Sequence, residues 1–244
     1  MDKVLIITGG SKGIGRAVID QYIGKGFTVF SISRTRANDL EKAEQIKFDL
    51  SNVNGIEKMF TELFQKLNRY TMEKISLINN AATIGSIKRI ENNSSDDLFK
   101  TIQLNVTTPL ILSSFFIRLT EGWKAKKSII NISSGAALRP ISGWTSYCAS
   151  KAALDMITKG IATEQGGVEN GVKAISIYPG VVDTGMQEKI RNSNKNDFTD
   201  VQRFIDMKTN STLADPKTVA EKIYAVDNDT TVENGTCVDV RMMK

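Results

Sequence analysis

Short apolar runs alternate along the chain with longer stretches in which apolar positions recur three and four residues apart, the signatures of strand and helix respectively. The runs at 4–8, 28–33, 45–48, 76–79, 128–133, 172–178 and 236–241 read as strands. The stretches at 14–25, 53–68, 96–120, 147–165 and 216–226 read as helices. Gly26 is placed to end the first helix, Ser51 to cap the second and Gly166-Gly167 to end the fourth. Alternation of this kind requires crossover connections. It implies an α/β, doubly wound fold: one domain over residues 1–244 with a mainly parallel seven-stranded sheet and helices on both faces. The irregular stretch is 181–215, rich in Asn, Asp, Thr and Lys. It follows Pro179-Gly180 at the carboxyl end of a strand, where open α/β sheets bind ligands. It is therefore expected to form a substrate lid, with short helices at 188–191 and 201–208.

Composition narrows the field. Apolar residues at 41% and charged residues at 24% fit an ordinary globular protein. The net charge of +5 comes from basic residues interspersed with acids. The one cluster, Lys124, Lys126 and Lys127, falls in a turn and is expected to face solvent. No nucleic-acid-binding motif accompanies it, so no nucleic-acid role is expected. The longest apolar stretch, 110–119, is interrupted by Ser113, Ser114 and Arg118 and is too short to cross a bilayer, so no membrane role is expected either. The chain is expected to enter its first strand directly, with no leader. Cys148 and Cys237 form neither a pair nor a metal-ligand spacing, which suits the reducing cytoplasm and calls for no metal.

The candidate chemistry lies in residues 131–151. Ser134 ends an apolar strand, Tyr147 opens a helix, and Lys151 lies one turn further along the same helix face. A neighbouring ammonium favours the phenolate, so Lys151 is expected to lower the Tyr147 pKa and make it a general acid near neutral pH. The chain contains no histidine to compete for that role. Ser134 is placed to hydrogen-bond the same substrate oxygen. A second Tyr-x-x-x-Lys, Tyr70 to Lys74, enters the sheet from the amino end of a strand and has no upstream serine. It reads as surface or packing.

A glycine-rich turn, Thr8-Gly9-Gly10-Ser11-Lys12-Gly13-Ile14-Gly15, joins the first strand to the first helix. Gly9, Gly13 and Gly15 allow a tight turn and close backbone approach to a pyrophosphate, while the helix N-terminus supplies amides. The second strand ends in Arg34, with Arg36 beyond and no acid before Asp39. Together with Lys12 this favours a 2′-phosphate, hence NADP(H) over NAD. Two charge-assisted contacts of about 1.5–3 kcal/mol each would set that preference.

These motifs in this order resemble the short-chain dehydrogenase/reductase family over essentially the whole chain. The set comprises T-G-x-x-x-G-x-G at 8–15, Asp49 after the third strand, Asn79-Asn80-Ala81 after the fourth, Asn105, Ser134, Tyr147, Lys151 and Pro179-Gly180. One departure is Ala82, where the family usually has glycine. The resemblance implies a Rossmann-fold reductase with Asn105, Ser134, Tyr147 and Lys151 as its catalytic set. Asn105 would hold a water-linked relay to the lysine. The implied cofactor contacts are Gly9, Ser11, Lys12, Gly13, Ile14, Gly15, Arg34, Asp49, Asn79, Tyr147, Lys151, Pro179, Gly180, Val182 and Thr184. It also implies a homodimer or homotetramer built through the helices at 96–120 and 147–165. Within the family, Asn131 to Ala136, Gly143 to Cys148 and Pro179 to Gln187 look most like benzil reductases and sepiapterin reductases. That points to NADPH-dependent reduction of a small ketone or 1,2-diketone. Leu138, Trp144, Val181, Met186 and Phe198 are the expected pocket walls, beside Ser134 and Tyr147. Two other readings stay open. One is a 3-oxoacyl-carrier-protein reductase with a basic docking patch at Arg139, Lys189 and Arg191. The other is a regulator that senses NADPH without turnover.

Overall fold

In the computed structural model, which describes residues 2–243, the expected alternation is realised. The elements in chain order are β1 (Asp2–Thr8), α1 (Gly13–Gly24), β2 (Thr28–Ser33), β3 (Glu44–Lys47), α2 (Ile56–Phe64), β4 (Met72–Asn79), α3 (Ser95–Ile102) and α4 (Thr108–Leu119). There follow β5 (Lys126–Ile132), α5 (Thr145–Gln165), β6 (Lys173–Tyr178), α6 (Gly185–Arg191), α7 (Val201–Thr209), α8 (Pro216–Asn228) and β7 (Cys237–Asp239). The seven strands form one sheet in the order β3-β2-β1-β4-β5-β6-β7, every pairing parallel. Such strands are apolar on both faces because helices cover both. Accordingly β1 buries Val4 to Ile7 without a break. Ile6, Phe30, Leu77 and Ile129 face a core shared with Phe60 of α2 and Phe116 of α4. Leu5, Val29, Ile78 and Ile177 face the other, shared with Ile19 and Tyr22 of α1 and Ile223 of α8.

Several local expectations are revised. The Ser51 hydroxyl does not cap a helix; it donates to Asp49 Oδ1 at 2.8 Å, and α2 is entered through a 3₁₀ turn at Val53–Gly55. Lys127 is buried in β5, not solvent-facing, and its ammonium donates to Thr120 O at 3.0 Å. The expected single helix at 96–120 is interrupted by a π turn at Gln103–Thr107. The run Ser95–Leu119 is long and apolar enough to cross a membrane by length and composition. In this fold, however, Asn105, Thr108, Leu112, Ser113 and Phe116 are buried. The segment 181–215 is folded into α6 and α7. Its ends are joined where Val182 bridges Ala214, with Ala214 N donating to Val181 O at 2.9 Å.

A buried ionic cluster fastens the amino end of the sheet. The Asp227 carboxylate on α8 accepts from Tyr22 Oη (2.8 Å), Ser76 Oγ (2.8 Å) and Ser128 Oγ (2.5 Å), with Lys74 Nζ at 3.1 Å. Lys74 also donates to Asp227 O at 2.7 Å. Tyr70, by contrast, is 83% exposed. The second Tyr-x-x-x-Lys pair is thus split between solvent and a structural cluster on the opposite side of the sheet from the ligand crevice. Removing one partner of a buried pair leaves the other charge uncompensated, so Asp227→Ala should destabilise the fold by about 3–5 kcal/mol. Urea unfolding checks this. The double variant Asp227→Ala/Lys74→Met is expected to recover part of the loss.

Candidate active site and nucleotide crevice

Strand order reverses between β1, whose crossover leads to β2, and β4, which continues to β5. The crevice at the carboxyl ends of these strands is where a doubly wound sheet binds a dinucleotide. A cavity of about 1560 Å³ occupies it. One end is lined by the glycine turn, Arg34 and Asp49; the other by Ser134, Tyr147, Lys151, Pro179, Gly180, Val182 and Thr184.

The turn after β1 is shaped for a close ligand. Gly9 (φ 71°) and Gly13 (φ 58°) adopt left-handed backbone that only glycine tolerates without strain. Gly15 is fixed by space: a Cβ there would lie 2.3 Å from Gly9 O and 2.5 Å from Asn80 Nδ2. The same test finds Gly10, where a Cβ would lie 2.3 Å from Ser31 Oγ and 2.4 Å from the Ile19 side chain. Gly10 packs α1 against β2, a requirement invisible in the motif spacing. Thr8 Oγ1 accepts from the backbone N–H of Asn80 and of Ala81, both at 3.0 Å. Asn80 Nδ2 donates back to Thr8 O at 2.9 Å. The turn and the end of β4 therefore hold each other.

Arg34 and Lys12 are exposed and line the cavity, while Arg36 does not. Asp39, the nearest acid beyond β2, is held away by Arg16 Nη1 at 2.7 Å and does not line the cavity. The Arg16 hydrogen bond keeps its carboxyl below the usual range. Asp49 lines the cavity beside Arg34; hydrogen bonds from Ser51, and secondarily the Arg34 charge, lower its pKa.

Helix α5 carries Tyr147 and Lys151 on one buried face, 7% and 3% exposed. Lys151 Nζ donates to Ile132 O at the end of β5 at 2.8 Å and lies 5.6 Å from the Tyr147 ring centroid. Ser134 follows β5 in extended backbone, and its hydroxyl accepts from Ala136 N at 3.1 Å. The expected lowering of the tyrosine pKa is not what the structure gives. Burial pushes the Tyr147 phenol up to about 12, opposed by its hydrogen-bonding neighbour Ser134. Burial also brings Lys151 down to about 8, opposed by Asp155. Desolvation outweighs the ammonium because both groups sit in the same low-dielectric wall.

Two residues expected at the cavity lie behind it. Asn79 is 3% exposed, and its Nδ2 donates to Asn131 Oδ1 at 2.9 Å and Ser113 Oγ at 3.3 Å. Successive strand residues face opposite ways, so Asn80 and not Asn79 lines the crevice. Asn105, 1% exposed, brackets the Thr83 backbone, accepting from its N–H at 2.9 Å and donating to its carbonyl at 2.8 Å. It also donates to Ser150 Oγ at 3.0 Å, and the π turn presents it there.

Leu138, Trp144, Val181 and Met186 line the cavity as expected; Phe198 does not. Phe198 is fully buried and stacks on Trp144 with centroids 5.1 Å apart, fastening the 181–215 segment from behind. Gly143 admits the backbone there, since a Cβ would lie 2.7 Å from Asp197 O. Gln187, Arg203 and Phe204 also line the cavity, as do Ile84, Ile141, Ile190 and Arg241, which lie in no motif that sequence alone marks. Of the three cations of the suggested basic patch, Arg139 and Lys189 line the cavity. Lys189 is tied to Gly85 O at 2.8 Å, and Arg191 has a buried Nη1.

The sheet, its reversal point and the glycine turn define a Rossmann-type dinucleotide-binding fold. Comparisons with known proteins agree. The short chain dehydrogenase model matches residues 3–195. The benzil reductase ((S)-benzoin forming) of Bacillus cereus is 40% identical over 229 residues, covering 91% of this chain and 92% of its own. The sepiapterin reductase of Mus musculus is 29% identical, covering 97% of this chain and 95% of its own. Among solved structures, 4-hydroxyisoleucine dehydrogenase complexed with NADH has a TM-score of 0.81 at 27% identity, over 98% of this chain and 96% of that one. The chain belongs to the short-chain dehydrogenase family, an oxidoreductase family that uses a nicotinamide cofactor.

The glycine turn gives a direct test. Gly15→Ala must displace the backbone of Gly9 or the Asn80 side chain. It should weaken nucleotide binding by roughly tenfold or more and cost about 1–3 kcal/mol in stability. Fluorescence titration with the reduced dinucleotide and thermal melting read the two effects separately.

Proposed function

We propose that the protein is an NADPH-dependent carbonyl reductase that transfers hydride to a small ketone or 1,2-diketone. The observation that carries this reading is convergence: Ser134, Tyr147 and Lys151 line the cavity whose other end is the glycine turn. The 40% identity to a benzil reductase over nearly the full length of both chains supports a diketone substrate.

The left-handed glycines and the open start of α1 leave room for a pyrophosphate against the backbone. Gly9, Ser11, Lys12, Gly13, Ile14, Gly15, Arg34 and Asp49 would hold the adenosine and phosphate end. Tyr147, Lys151, Pro179, Gly180, Val182 and Thr184 would hold the nicotinamide end. When bound, NADPH supplies the hydride. Arg34 and Lys12 would select the 2′-phosphate, with Asp39 already engaged by Arg16. Tyr147 donates the proton to the carbonyl oxygen. Its raised pKa keeps the phenol protonated at neutral pH, as a donor requires. Ser134 orients that oxygen. Lys151, protonated below about 8, puts a positive charge beside the phenol as it gives up its proton. Asn105 ties the Thr83 backbone, in the segment after β4, to α5 behind these groups, the role its hydrogen bonds support.

Trp144, Ile141, Ile190 and Phe204 give the substrate end an apolar wall, and α6 and α7 act as a lid over it. A carrier-protein substrate is less well served, because Arg191 turns inward. Phe99, Leu110 and Met156 are exposed apolar residues on α3, α4 and α5, which supports a homo-oligomer assembled through these helices.

The first experiment is nicotinamide oxidation against a panel of 1,2-diketones, monoketones, a pterin ketone and an acetoacetyl thioester, with NADPH and NADH in parallel. Turnover of the thioester alone would replace this reading with acyl-chain chemistry. Tight NADPH binding with no turnover across the panel would favour the sensor. Tyr147→Phe should lower turnover roughly 10²–10⁴-fold while NADPH still binds; a variant keeping half its activity would remove Tyr147 from the role. Arg34→Asp should raise the KM for NADPH by about 10–100-fold and leave that for NADH nearly unchanged. Initial-rate kinetics with the two cofactors measure it.

A further inference from the structure

One buried carboxylate on the helix of the candidate acid has no part in the scheme above. Asp155 lies one helical turn beyond Lys151 on α5, itself one turn beyond Tyr147, so the three share a face. It is 7% exposed. Its oxygens are held by two hydroxyls of β6: Ser176 Oγ donates to Oδ1 at 2.6 Å and Tyr178 Oη to Oδ2 at 2.6 Å. Ser176 and Tyr178 flank Ile177, which pairs with Ile132, and the Ile132 carbonyl accepts from Lys151 Nζ. Carboxylate and ammonium therefore occupy the same layer between α5 and the β5–β6 pair. Tyr178 lines the cavity but turns its hydroxyl to Asp155, which with burial raises its pKa far above an ordinary phenol and removes it as a rival acid.

We propose that Asp155 is a positioning residue for the reaction: braced by Ser176 and Tyr178, its carboxylate holds Lys151 as an ammonium beside Tyr147. This rests on the reading of Tyr147 as the acid. The physical need is plain, because Lys151 is buried and its one hydrogen-bond acceptor among the described residues, Ile132 O, carries no net charge. Without a nearby negative charge, burial favours the neutral amine, which cannot stabilise a developing phenolate. The other titratable groups facing this layer do not supply that charge. On α5 these are Tyr147, Cys148 and the exposed Lys159; on β6 and β7 they are Tyr178, Cys237 and Asp239, and the Asp239 carboxylate is already paired with Arg241, whose Nε donates to it at 2.9 Å. Burial raises the pKa of both tyrosines and both thiols, so none of these four is an anion at neutral pH.

The test compares wild type, Asp155→Asn, Asp155→Ser and the charge-retaining Asp155→Glu, each checked for folding by circular dichroism. Lysine labelled with ¹³C at Cε, with the Lys151 resonance assigned from Lys151→Met, reports that amine without turnover. The expected result is a titration midpoint about one pH unit or more lower in the Asn and Ser variants than in wild type, restored toward it in Asp155→Glu. In NADPH oxidation with a 1,2-diketone, the wild-type to Asp155→Asn rate ratio should rise about tenfold between about pH 6 and about pH 8.5. A purely structural role would lower the rate by the same factor at every pH and leave the midpoint alone; either result overturns the proposal. Tyr147→Phe separates the two readings. If it stays active, the assignment of the acid fails; if it is inactive while the Asp155 variants titrate as wild type, only the role of Asp155 fails.

Discussion

The pairing of β1 with β4 is the constraint on which the rest of the molecule depends. Parallel strands cannot be joined by a tight turn, so each connection must cross a face of the sheet and return. Successive crossovers run outward from β1 to β2 and β3 on one side and from β4 to β7 on the other. At the join the connections part, and the cavity opens at the strand ends. The glycine turn after β1 and the Asn80–Ala81 end of β4 meet at this gap and are hydrogen-bonded to each other. Everything proposed to touch cofactor or substrate is hung on this one opening.

Burial governs the chemistry at the far end of the opening. A phenol and an amine side by side in water would each titrate near their ordinary values. Taken into the wall between α5 and β5, both are pushed toward their neutral forms, the phenol up to about 12 and the amine down to about 8. The site therefore combines an acid that keeps its proton with a cation that is close to losing its own. Asp155, proposed to hold the second of these charged, is braced by two hydroxyls, and the carbonyl of Ile132 accepts from Lys151 Nζ.

What the sequence discloses and what it conceals follow from the range of the forces involved. The central strands, covered on both faces, carry long apolar runs and were legible, as were the turn glycines and the Tyr147–Lys151 spacing, which are local features. The edge strand β3, Glu44–Lys47, has no buried residue and was legible only from its place in the alternation. Features set by a distant partner were not. The π turn at Gln103–Thr107 depends on Asn105 bracketing Thr83. The burial of Lys127 depends on the Thr120 carbonyl, and the need for glycine at position 10 on Ser31 and Ile19. The tyrosine shift had the wrong expected sign because charge proximity is written in the spacing of residues while desolvation is not. Phe198 was expected in the cavity wall, yet its ring stacks behind Trp144 instead.

The lid departs from and returns to a single point, where Val182 meets Ala214. A loop whose ends already touch adds only slowly to the entropy of closure as it lengthens. The strands on either side never register what lies between. Residues 183–213 thus behave as an exchangeable cassette: insertions or deletions beyond Thr184, which lines the cavity, reshape the opening without disturbing strand register. One condition applies to any replacement. It must return an aromatic ring to the face of Trp144 and pass its backbone over the notch at Gly143, two of the places where the cassette is keyed to the body of the protein.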